Sequence, residues 1–111
     1  MMSAPDQVIP YSALTFTDIH SAKGPAGVTG YDTIGALLLS VVRRHAAALA
    51  GAPVHPVSWS MDVIGPCEGG ALQLDSQLDR QTRTLIFING TAQAGGALCL
   101  RVTALYRIEA T

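Results

Sequence analysis

Apolar residues recur at helical spacing from Thr33 onward: Ile34, Leu37, Leu38, Val41, Val42 and His45 fall on one face, and Gly51 with Pro53 closes the run. The spacing predicts a helix over 33–50 that Asp32 or Thr33 can cap. Leu39, Ala46, Ala47, Ala48 and Ala50 put apolar or small side chains on the other sides, which predicts a helix buried most of the way round. Upstream, SALTFT (12–17) reads as one strand and HSAKGPAGVTG (20–30) as a long loop. Downstream the period changes to two. VSWSMDVIG aligns Val57, Trp59, Met61 and Val63 on one face, predicted as core, with Ser58, Ser60 and Asp62 on the other. ALQLDSQLD aligns Leu72, Leu74, Ser76 and Leu78, and the run Leu85 to Ile88 reads as a central strand covered on both faces. ALCLRVTALYRIE alternates again, and Ala94-Gly95-Gly96 before it suits a tight hairpin.

Strand, long loop, one long helix and four antiparallel strands make an α+β pattern, in which a curled antiparallel sheet wraps around the one central helix. The expected division is a first strand and loop over 1–30, the central helix over 33–50 and the four-stranded part over 56–109, in one domain of 111 residues.

Hydrophobic content of 49% against 14% charged residues leaves more apolar surface than so short a chain can bury, so a homodimer or tetramer is expected. The net charge is −1, and apart from Arg43-Arg44 and the neighbouring Arg80 and Arg83 the basic residues are scattered. They form no stripe for a phosphate backbone, so no nucleic-acid partner is expected. MMSAPDQVIP lacks the basic and apolar regions of a signal peptide, and no uninterrupted apolar run reaches about 18 residues. A cytoplasmic protein without a membrane span is expected. Cys67 and Cys99 lie far apart without metal-ligand spacing, and His20, His45 and His55 are dispersed. The cysteines are therefore expected to stay reduced, and neither a metal ion nor a cofactor is expected.

Two passages carry a family likeness: GYDTIGALLLSVVRRH (30–45) and HPVSWSMDVIGP (55–66), where Ser60, Met61 and Pro66 keep a characteristic spacing. From Gly30 to Ile108 the chain resembles the hot-dog fold thioesterase superfamily, most closely the acyl-CoA thioesterase II-like and single-domain thioesterase-like proteins. The resemblance implies hydrolysis of an acyl thioester of coenzyme A or of an acyl carrier protein. It sets Asp32 on the family's catalytic aspartate, Pro56 where the family has a water-holding threonine, and Thr103 or Ala104 near its glutamine. HSAKGPAGVTGYD also resembles the histidine-to-acid motif of the hydroxyacyl-thioester dehydratases, which would pair His20 with Asp32. A non-catalytic acyl-binding or assembly module on the same fold is the third reading.

For thioester hydrolysis a carboxylate activates water while backbone N–H groups at a helix N-terminus polarise the carbonyl. Asp32 and the N–H groups of residues 29–33 suit these roles, and Asp32 as a simple cap remains open beside them. Thr33 and Ser58 are candidate water-positioning hydroxyls. Thr29, Gly30, Tyr31, Trp59 and Met61 are candidate substrate contacts. His20 is either a dehydratase base or a solvated loop histidine. His45 lies about 20 Å along the helix from Asp32. It is expected to meet the C-terminal dipole with Arg43 and Arg44, which stand near a partner or the phosphates of coenzyme A.

Overall fold

The computed structural model describes residues 11–28, 30–67 and 70–110, so the N-terminal decapeptide and Thr29, on which expectations above fall, lie outside the described residues. After a single 3-10 turn (Tyr11–Ala13) comes a hairpin: β1 (Thr15–Asp18) turns through Ile19 and His20 into β2 (Ser21–Gly24). The segment expected to be all loop thus holds a second strand. Its Ala22 is fully buried, and it pairs antiparallel with β4 (Leu72–Gln81). After the helix α1 (Tyr31–Ala50) come β3 (Val54–Val63), β4, β5 (Leu85–Ala94) and β6 (Ala97–Ile108). Among the described residues six strands form one antiparallel sheet in the order β1-β2-β4-β5-β6-β3, curled about α1.

The helix starts two residues earlier than its periodicity suggests. Gly30 is the N-cap, with extended backbone (φ −125°, ψ 124°) and no side-chain cap bond. Asp32 and Thr33 are consequently first-turn residues, and neither caps the helix. Gly51 ends it in the left-handed region (φ 64°), donating its N–H to the Ala47 carbonyl, a conformation that costs glycine little.

Burial is one-sided. Ile34, Leu37, Leu38, Val41, Val42, His45 and Ala46 face the sheet, whereas Asp32, Ala36, Arg43 and Arg44 are exposed. The expectation of all-round burial fails because the sheet covers only one face. With 20 residues and a mean hydropathy of 1.3, the helix has the length and composition of a membrane span, which an uninterrupted apolar run does not reveal because Arg43 and Arg44 fall inside it. Its apolar face packs on β4, β5, β6 and β3, as a core helix does. Helix and sheet approach closely at Gly90 of β5, where a Cβ would stand 2.5 Å from Val42 Cγ2. A larger residue there would have to push α1 off the sheet.

One-sided cover also corrects the reading of Leu85 to Ile88. Burial alternates along β5, with Ile86, Ile88, Gly90 and Ala92 buried and their neighbours only partly so. At the β3 edge, Trp59, Met61 and Val63 pair with Ala104, Val102 and Leu100, all buried on the helix side. They share the predicted face, yet they are 52%, 40% and 60% exposed, because the edge strand overhangs the helix. Val57 sits at a register shift between Pro56 and Ser58 and is also exposed. These four residues are therefore not core.

Two further expectations give way. Cys67 and Cys99 form a disulfide, with Cα atoms 5.2 Å apart, because the β3–β6 ladder (Val63↔Leu100) brings the chain just after β3 beside β6. His45 does not meet the C-terminal dipole, since the helix continues to Ala50. Instead its imidazole is buried, with Nδ1 2.9 Å from Ser76 Oγ of β4. Burial, and then the charge of His20, lower its pKa below the ordinary value, while Asp18 opposes them.

Candidate functional site

The first three turns of α1 and the end of β3 enclose an open cavity of about 400 Å3, lined by Tyr31, Asp32, Gly35, Ala36 and Leu39 from the helix and by Met61 and Val63 from the strand. Helical steps of four place Tyr31, Gly35 and Leu39 on one row and Asp32 and Ala36 on the next. Gly35 leaves the dent that Met61 fills: a Cβ at this position would lie 2.8 Å from Met61 Cε and 2.9 Å from its Sδ. The floor of the cavity is thus set by a missing side chain.

Asp32 is the acid of this cavity. Its carboxylate is exposed and makes no hydrogen bond or ion pair to any described residue, so it is available to solvent or a ligand. As a first-turn residue it also lies where the partial positive charge of the helix N-terminus favours an anion. The first intrahelical bond runs from Ile34 N–H to the Gly30 carbonyl, so the N–H groups of Tyr31 and Asp32 have no acceptor within the helix. Tyr31 is pinned, its hydroxyl donating to the Gly65 carbonyl at 3.2 Å. The chain at Gly65 is held in turn, since the N–H groups of Ile64 and Gly65 donate to the Cys99 carbonyl (2.9 and 3.3 Å) and the Cys67–Cys99 bridge follows.

The candidate residues are distributed unevenly around this geometry. Asp32, Tyr31 and Met61 line the cavity, Gly30 caps the helix beside it, and Thr33 is a half-buried first-turn residue that is not part of the lining. Trp59 is on the same face of β3 farther along, its Nε1–H donating to the Tyr106 hydroxyl at 3.3 Å. Burial raises the Tyr106 pKa despite that bond, so the phenol stays protonated. Ser58 has the opposite parity to Met61 and Val63, which turns it to the other face of the sheet.

His20 lies in the β1–β2 turn, with Nε2 3.4 Å from Asp18 and Nδ1 3.1 Å from Ser21 Oγ, which itself donates to Asp75 at 2.7 Å. Its ring centroid is 5.6 Å from that of His45, thirteen residues along the helix from Asp32, or about 20 Å. Within one chain His20 and Asp32 do not meet. Pro56 and Ala104 bring no polar side-chain group, and Ala104 is buried opposite Trp59. Gly35, Ala36, Leu39 and Val63 were not singled out by motif, although steps of four from Tyr31 and Asp32, and of two from Met61, lead to them. Among the described residues no three His, Cys, Asp or Glu side chains converge to hold a metal ion.

Comparison with known proteins gives a consistent result. The acyl-CoA thioesterase N-terminal domain family matches residues 33–107, about two thirds of the chain. Among solved structures, AziG of S. sahachiroi superposes with a TM-score of 0.75 at 20% identity, over 95% of this chain and 100% of that one. A phenylacetic acid degradation-related protein of Ralstonia eutropha JMP134 gives 0.74 at 19% identity, covering 95% and 92%. A thioesterase family protein of Silicibacter pomeroyi gives 0.71 at 18% identity, covering 86% and 84%. At these identities the structures speak for the fold. A search of curated proteins returns no match.

Proposed function

Because the chain belongs to the acyl-CoA thioesterase N-terminal domain family, with the hot-dog fold, we propose that it hydrolyses an acyl thioester with water activated by Asp32. The observation that carries this reading is the Asp32 carboxylate, without a partner among the described residues, in an apolar cavity at a helix N-terminus. In the proposed reaction Asp32 takes a proton from water as its oxygen attacks the thioester carbon. The N–H groups of the first helical turn receive the developing oxyanion. Collapse breaks the C–S bond, and the thiolate leaves as free thiol once protonated. Gly30 and Tyr31 frame the carbonyl end, Thr33 adjoins it, and the acyl group lies along Gly35, Leu39 and Met61, while the expectation for Thr29 falls outside the described residues. Ser58 and His20 receive no role in this reading, and the lyase pairing of His20 with Asp32 is not adopted.

The proposal includes a homodimer. Trp59, Met61 and Val63 leave an apolar strip on an edge strand whose outer side has no neighbouring strand among the described residues, and two of these residues wall the cavity. A second copy pairing on β3 would cover the strip and close the cavity. The carrier is coenzyme A or an acyl carrier protein. The setting is cytoplasmic, where the Cys67–Cys99 bridge persists only if it resists reduction by the thiol pool.

The test is thiol release from a panel of short, long and aromatic acyl thioesters by wild type and by Asp32→Asn. Loss of a general base predicts a fall in kcat of about 10²–10⁴-fold. Removing an exposed first-turn charge costs stability only about 0.3–1 kcal/mol, so the melting temperature should fall by no more than about 4 °C. A variant as active as wild type, or a wild type inert on every thioester, would remove Asp32 or the activity from the proposal.

A further inference from the structure

A second open cavity of about 400 Å3 lies farther along the same exposed helix face, lined by Tyr11, Ser40, Arg43, Arg44 and Ala47. The helical rows that line the first cavity lead on into it: Leu39 precedes Arg43 by four residues, and Ala36 precedes Ser40 by four and Arg44 by eight. Neither arginine makes a salt bridge among the described residues. Arg44 is held rather than swinging free, its guanidinium 3.7 Å from the centroid of Phe16, which packs in turn on Tyr11 at 5.5 Å between centroids. Two uncompensated guanidinium groups, a hydroxyl and an aromatic wall around an open cavity suit a phosphorylated ligand.

Separation adds to this. Asp32 and the arginine pair are eleven and twelve residues apart on one straight helix, roughly 17 Å. In coenzyme A the chain from thioester sulfur to the first phosphorus has about thirteen bonds, a little over four extended residues, or roughly 15 Å. A guanidinium side chain spans the difference.

We propose that Arg43 and Arg44, with Ser40 and Tyr11, hold the phosphate-bearing end of coenzyme A while its thioester lies at Asp32, so that α1 sets the distance between phosphate and reacting carbon. This rests on the thioesterase reading and narrows it, selecting the nucleotide carrier over a carrier protein.

The experiment compares kcat/KM for the same acyl group on coenzyme A, on pantetheine without phosphates, and on an acyl carrier protein, in wild type, Arg43→Gln and the Arg43→Gln/Arg44→Gln double variant. The single variant leaves the Arg44–Phe16 contact in place and guards against a folding effect. The coenzyme A over pantetheine ratio is expected to fall by about tenfold or more in the double variant, the worth of one lost charge-assisted hydrogen bond, and in part in the single variant. In wild type the same ratio should shrink with added salt. An unchanged ratio overturns the proposal, as does a loss confined to the carrier-protein substrate. Calorimetric binding of free coenzyme A to Asp32→Asn, with and without the arginine substitutions, separates the two readings. Arginine-dependent binding without hydrolysis by wild type would sink the activity and keep this site, whereas hydrolysis with arginine-independent binding would do the reverse.

Discussion

Replacing Cys67 and Cys99 together by alanine removes a covalent tie between the chain after β3 and the interior of β6. The two residues are separated by 32 positions. Loop-closure entropy for a ring of that size stabilises the folded state by about 3.7 kcal/mol at 25 °C, through restriction of the unfolded chain. With an unfolding entropy of roughly 2.1 cal/mol/K per residue, a chain of this length should lose about 15 °C in melting temperature. The effect reaches the cavity as well, since Tyr31 is anchored on Gly65 and Gly65 on Cys99. Freed from the bridge, that wall should loosen and KM for the thioester should rise. The assay is thermal unfolding with and without a thiol reductant, beside thiol titration and steady-state kinetics. Reduced wild type should melt with the double variant. A shift below about 3 °C in protein shown by mass to be bridged would refute the loop-closure reasoning, and two titratable thiols in the folded, unreduced protein would refute the bridge itself.

The remaining predictions concern His45 and the β3 edge. The His45 imidazole takes a proton near 6.5 when unfolded and only at lower pH when folded, since burial opposes its charge. As pH falls below 6.5 the unfolded state therefore binds the extra proton and stability declines, until the folded imidazole protonates too; above 6.5 the group contributes no slope. From roughly pH 7 to 5.5 wild type should lose melting temperature more steeply than His45→Gln, and parallel slopes would dismiss the effect. For the edge, sedimentation of wild type should give a dimer that Trp59→Lys shifts toward monomer; a wild-type monomer at micromolar concentration would rule out the β3 contact.

The helix and the long strands were legible from their patterns: Ile34 to Ala46 at steps of three and four, β3, β4 and β6 at steps of two, and β5 from the apolar run Leu85 to Ile88, which hid its alternation. The first strand was legible within SALTFT, but its partner β2 was not, because a strand of four residues is too short to display a period and Gly24-Pro25 imitates a loop. Register was the other missing quantity. It alone brings Cys67 to Cys99 and Ser76 to His45, and it leaves β3 at the edge, so that Trp59 and Met61 keep their predicted face but not their predicted burial. At the site, Asp32 was visible from the resemblance and from its place at the start of the helix. Its freedom from capping was not, since Gly30 as N-cap depends on backbone angles that periodicity does not report. Ser58 shows the converse, because parity along β3 already opposed it to Met61.

The overhanging edge of β3 also bears on how this sequence can change over generations. If that strand lies against its own copy, one nucleotide change in a codon for Trp59, Met61 or Val63 alters the joint at two symmetry-related places at once. A substitution worth about 1 kcal/mol in a lone chain then counts for about 2 in the pair. Such positions drift little singly, and tolerated changes there should be found together with compensating ones on the same strand.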